Sequence, residues 1–217
     1  MSMLYAAAAA VIAVVITAAV ALRPKADREV YHRKPIMVAT VVGAVMGVLA
    51  AAASYVLERP VELVVASSVG LSLLCYHFTV ALHSDLKFKV VDRHPLHVAI
   101  LLAIASSIPA LVVTPVFVPL YLMGLMLAGA TFFLPFMGAS DSRALMLGLA
   151  SSIVAFGPQL TINAIFVMLA AEVLMLAVLR LRNRGTKLTG LSVPMIPAIL
   201  VGFIIVPVVS GSIALLA

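Results

Sequence analysis

The stretch AAAAAVIAVVITAAVAL, residues 6–22, decides the fold. It carries no charge, and Thr17 is its only polar side chain. Lipid admits only helices or closed barrels, because every backbone polar group must be satisfied internally. A barrel strand alternates apolar and polar residues over about 10 positions, whereas this run is continuously apolar at the length of roughly 20 that a spanning helix needs. The same pattern recurs along the chain. Of its 217 residues 65% are hydrophobic and 10% charged, against about a quarter charged in soluble domains. The fold class is therefore all-α, a polytopic bundle of transmembrane helices. The connections are too short for a separate soluble unit, so residues 1–217 read as one membrane-embedded domain.

Working outward from that run, spans are expected at roughly 3–22, 36–57, 61–82, 96–113, 116–137, 143–157, 160–179 and 191–216. The first connection holds Arg23, Lys25, Arg28, Arg33 and Lys34; the third holds Lys87, Lys89 and Arg93. Arg143 lies in the fifth, and Arg180, Arg182, Arg184 and Lys187 lie in the seventh. The even-numbered connections hold Arg59 alone, beside Glu58 and Glu62. Cytoplasmic loops are enriched in Lys and Arg, so the odd connections are expected in the cytoplasm and both termini outside. The first span has no basic residue before its apolar core and a basic cluster after it. That is the charge order of a retained anchor; a cleaved signal peptide ending at the AVA before Leu22 is the competing reading.

The single cysteine, Cys75, lies inside an apolar run, which leaves no disulfide framework and no CxxC metal site. The net charge of +6 is spread over loops between spans, a pattern that suits anionic lipid headgroups rather than nucleic acid.

The acids are few enough to weigh one by one. Asp27 and Glu29 balance the basic first loop, and Glu58 and Glu62 suit a solvated turn. Four remain: Asp85, Asp92, Asp141 and Glu172. Asp85 follows the third span and Asp141 precedes the sixth, so the charge-derived topology puts both at the cytoplasmic boundary. Two carboxyls brought close share a proton, which makes one an acid and the other a base. Such a pair activates water against a peptide carbonyl while protonating its oxygen. The plainer reading of Asp141 is a helix N-cap with a favourable dipole.

The residues around each Asp sharpen the choice. Gly138-Ala139-Ser140-Asp141, continued by Ser142-Arg143-Ala144-Leu145, resembles the GxGD segment of the type IV prepilin peptidases, membrane aspartic peptidases. Asp85-Leu86-Lys87-Phe88-Lys89 resembles the family's first catalytic segment, and Val193-Pro194-Met195-Ile196-Pro197 its proline-containing last helix. The resemblance covers roughly residues 60–210. It implies an aspartic endopeptidase of the short, peptidase-only branch. Such an enzyme cleaves the leader of type IV or Flp-type prepilin-like precursors in the cytoplasmic membrane of a bacterium or archaeon. Asp85 and Asp141 would be catalytic, with Gly138, Ser140, Arg143 and Lys87 in support. No cofactor or metal is implied, and no methyltransferase activity, since no cysteine-rich segment is present.

Ser140 stands where the family motif has glycine, a departure that also fits an inactive relative acting in pilus or secretion assembly. Asp92 is an alternative second acid, although Arg93 beside it makes a loop ion pair the simpler account. Glu172 falls well inside the seventh span, where an acid is a candidate functional group. With Asn163 and the proline-interrupted helices it supports a rival reading as a small transporter or channel. His83, His94 and His97 gather near Asp85 but lack HExxH spacing, so no metal site is assigned to them. His77 reads as a packed polar residue of the third span.

Overall fold

The computed structural model describes residues 3–22, 33–88, 93–133, 139–182, 198–199 and 201–205. They form α1 (Met3–Leu22), α2 (Arg33–Val56), α3 (Val61–Phe88) and α4 (Arg93–Val113). A 3₁₀ turn (Pro115–Phe117) leads into α5 (Val118–Ala130), which ends in a second 3₁₀ turn (Thr131–Phe133). Then come α6 (Ala139–Phe156), α7 (Pro158–Arg182) and a π-helical turn (Val201–Ile205). No strand occurs among the described residues.

Six of these segments are long and apolar enough to cross a membrane: those in α1, α2, α3, α4, α7 and α5 with its flanking turns. The chain is a multi-pass membrane protein. α6 falls outside that group because its first turns carry Ser140, Asp141, Ser142 and Arg143. The expected eighth span, 191–216, lies mostly outside the described residues.

The bundle is built around α3. Its apolar window is 83% buried, against 11% for that of α7, and it packs against α1, α2, α4 and α6. Its mean hydropathy of 1.7 is the lowest of the six spans. Burial explains that inversion: a helix shielded from lipid by its neighbours can carry Ser67, Ser68, Ser72 and His77. The serines are satisfied locally, Ser67 Oγ donating to the Leu63 carbonyl at 2.6 Å and Ser68 Oγ to that of Val64 at 2.6 Å. Ser72 also hydrogen-bonds Thr17 of α1.

Small residues let the backbones meet. A Cβ at Gly43 of α2 would stand 2.7 Å from the Ser72 carbonyl oxygen, and one at Gly47 would stand 2.9 Å from the Ala13 Cβ. This is the close approach that a GxxxG pair permits in an apolar helix. α2 then turns sharply into α3. Glu58 adopts a left-handed φ of 51°, Arg59 N–H donates to the Ser54 carbonyl and Glu58 N–H to that of Tyr55. Those bonds make a Schellman cap, which Pro60 follows.

Several helices outrun the expected spans. α3 continues to Phe88 rather than ending near residue 82, and α6 begins at Ala139 rather than 143. Residues 85, 87 and 141 therefore lie on helix, not in connections. Hydropathy marks where the hydrocarbon ends, while hydrogen bonding continues a helix beyond that point.

Candidate functional site

The contact between α3 and α6 sets the geometry of the expected site. Gly70 of α3 lies against Ser151 of α6, where a Cβ would meet the Ser151 Cβ at 3.2 Å. At one end of the pair, the Arg59 guanidinium just before α3 donates to the Ala155 carbonyl near the end of α6 at 2.5 Å. The two helices are therefore antiparallel. The C-terminal end of α3 and the N-terminal end of α6 share the opposite end of the bundle.

Counting along each helix from the Gly70–Ser151 contact, position 85 lies fifteen residues away and Asp141 ten. At 1.5 Å per residue these are about 22 Å and about 15 Å. The two positions share one end of the bundle with an offset of about 7 Å, position 85 being the farther out. For Asp85, Lys87 and Ser140 the helix backbone is what is described; Asp92 and Gly138 lie outside the described residues. Asp141 is half-buried in the first turn of α6. There the unpaired N–H groups and the positive end of the helix dipole favour a carboxylate.

Arg143 reaches from α6 toward α4 and the end of α5. Residues two apart on a helix do not face each other, so Arg143 leaves α6 on another side from Asp141. Its Nε donates to His97 Nε2 on α4 at 2.5 Å, and its guanidinium carbon sits 5.4 Å from the centroid of the Phe132 ring. The pair ties the start of α4, the start of α6 and the end of α5 together. His97 is thus engaged by the Arg143 guanidinium.

Asp141 belongs instead to the side of α6 that holds Gly148, two turns on. A Cβ at Gly148 would meet the Phe203 ring at 3.0 Å, so this side looks onto the π turn. That turn packs in its other direction on α7, where a Cβ at Gly202 would lie 2.5 Å from the Ala164 carbonyl oxygen and 2.8 Å from the Met168 Cβ. Glu172 follows Met168 by one turn on α7 and is half-buried. It lies on a different element from the α3–α6 contact.

His77 is a packed polar residue of α3, as the sequence reading expected. It is 6% exposed and makes an edge-on contact with Tyr76, the ring centroids 4.9 Å apart. It lies two turns beyond Gly70 and so returns to the α6 side of α3, toward the end that holds Asp141. The hydrophobic pattern offered no sign of this, because α3 is buried on all sides.

No protein-family model, curated protein or solved structure matches this chain.

Proposed function

We propose that the protein is a membrane aspartic endopeptidase that removes the leader of prepilin-like precursors at the cytoplasmic face of a bacterial or archaeal membrane. The observation that carries this reading is the antiparallel α3–α6 contact, which gives position 85 and Asp141 a common end of the bundle. The motif resemblance around each Asp supplies the chemistry. One carboxylate takes a proton from water, and the hydroxide oxygen bonds to the scissile carbonyl carbon. The other carboxyl, protonated, gives its proton to the carbonyl oxygen. Collapse of the tetrahedral adduct breaks the C–N bond, the leaving nitrogen taking a proton from the site. The offset of about 7 Å between the two positions must narrow in the bound state, and unliganded sites of this kind are commonly loose.

The substrate fitting this site has a short basic leader in the cytoplasm, ahead of an apolar helix that enters the bilayer beside the enzyme. The test is co-expression of such a precursor with the intact chain, the Asp85→Asn variant or the Asp141→Asn variant, with cleavage read by mobility on a gel. Each substitution is expected to abolish cleavage. Undiminished processing by either variant would refute the assignment.

A further inference from the structure

We propose that α7 pairs with α7 of a second copy of this chain, along a seam of Asn163, Phe166, Ala170, Val173 and Ala177. The inference is independent of the peptidase reading and concerns how the protein assembles in the bilayer.

α7 is the least enclosed of the six spans, with 11% of its apolar window buried. Among the described residues, what covers it lies on one side. Thr161, Ala164 and Met168 are buried there, and a Cβ at Gly202 of the π turn would meet the Ala164 carbonyl oxygen and the Met168 Cβ. At about 100° per residue, the five seam residues centre on the opposite side, about 180° away. All five are exposed, Phe166 at 67% and Val173 at 66%.

Exposed apolar residues alone describe a helix that faces lipid, but Asn163 does not fit that account. It stands five residues, about 7 Å, inside a span of 24 residues. That span is about 36 Å long against a hydrocarbon thickness of about 30 Å, so the carboxamide lies within the hydrocarbon. Hydroxyls on these helices satisfy themselves: Thr40, Thr79 and Thr114 each donate to the carbonyl four residues back at 2.7 Å. A carboxamide has two donors and an acceptor to satisfy, and the Asn163 amide makes no hydrogen bond among the described residues. Lipid chains supply neither partner. A second Asn163 supplies both, the oxygen of each accepting from the amide nitrogen of the other across a twofold axis.

The spacing sets the mode of pairing. Steps along the seam alternate between three and four residues. That is the 3.5-residue repeat of a left-handed helix pair, in which each position faces its own copy. Ala170 and Ala177 let the two backbones approach, as small residues do between membrane helices, while Phe166 and Val173 fill the space between them. One amide in such a seam fixes register and favours two strands. Two copies inserted with the same topology present their α7 helices parallel, which is the arrangement this self-matching seam needs.

The experiment is disulfide cross-linking of the intact chain in the membranes of the expressing cells, with copper phenanthroline as oxidant and dimer read on a non-reducing gel. The parent chain, whose single thiol Cys75 is buried in α3, gives the background. Ala170→Cys and Ala177→Cys are expected to form dimer. Leu169→Cys and Val178→Cys, exposed at the same depths but turned about 100° along the helix, are expected to stay at background. Asn163→Leu keeps the surface apolar and removes no internal contact. In phosphatidylcholine–phosphatidylglycerol vesicles, energy transfer between donor- and acceptor-labelled copies should show its dissociation constant raised about three- to tenfold. The proposal is overturned by cross-linking equal on and off the seam, by no dimer from any variant, or by Asn163→Leu associating as tightly as wild type. A cross-link from Ala170→Cys to a co-expressed precursor instead of to its own copy also overturns it.

Discussion

Gly43→Ala tests the central packing of the bundle. The added methyl carbon would lie 2.7 Å from the Ser72 carbonyl oxygen, 3.0 Å from the Tyr76 Cβ and 3.1 Å from the Thr17 Cγ2. The first of these is backbone in the middle of α3, so rotation of a side chain cannot relieve it. Ordinary carbon contacts begin near about 3.5 Å, so α2 and α3 must part by several tenths of an ångström. That separation loosens contacts along both helices and weakens the nearby Thr17–Ser72 bond. Overpacking of this kind costs about 1–3 kcal/mol. Alanine is the better helix former by about 1 kcal/mol, which offsets part of the loss. Gly129→Ala isolates that offset, because nothing lies within 4 Å of the position. Reversible unfolding in mixed micelles should show Gly43→Ala less stable than wild type by about 1–2 kcal/mol. Gly129→Ala should be neutral or slightly more stable. If Gly43→Ala matches Gly129→Ala, the α2–α3 approach described here is wrong.

Two other substitutions probe single polar groups. Arg59 caps the end of α6 through the Ala155 carbonyl, and partial burial pulls its guanidinium below the ordinary arginine value while leaving it cationic. Arg59→Met is expected to cost about 1 kcal/mol, the low end for a charge-assisted bond because the group is only half-buried; faster amide exchange at the last turn of α6 would accompany it, and unaltered exchange there would count against the cap. The Tyr121 hydroxyl is buried beside Ser107, whose hydroxyl already donates to the Ala103 carbonyl, and it makes no well-formed hydrogen bond among the described residues. Tyr121→Phe is therefore expected to change stability by no more than about 1 kcal/mol in the same unfolding assay, and a larger loss would show that the phenol keeps a full hydrogen bond to Ser107 or to water.

How far the molecule was legible in its sequence depends on what each residue answers to. Lipid-facing helices answer to hydrocarbon, so α1, α2, α4 and α7 stand close to their expected spans. α3 and α6 answer to other helices. Ser67, Ser68, Ser72 and His77 lower the hydropathy of α3, and that deficit was itself a sign of centrality. The Gly43 and Gly47 pair was legible too, as GxxxG in an apolar run, although the reading of spans passed over it. The pairing of Arg143 with His97 was not legible. It joins residues on α4 and α6 at positions that only the packing of the two helices brings together. Motif spacing grouped Arg143 with Asp141 because they are two residues apart, while the helix turns them to different sides.

That divergence bears on how α6 works. One side of its first turn is fixed to α4 and to the end of α5 by Arg143, His97 and Phe132. Another side, carrying Asp141 and Gly148, faces the π turn of the last described segment. π turns break the regular ladder and recur where a helix has a functional task. Here the turn is wedged by Phe203 against Gly148 and by Gly202 against α7, so its contacts depend on two glycines with no spare volume. A helix anchored on one side and met by an irregular turn on the other holds its first-turn carboxylate at a fixed depth.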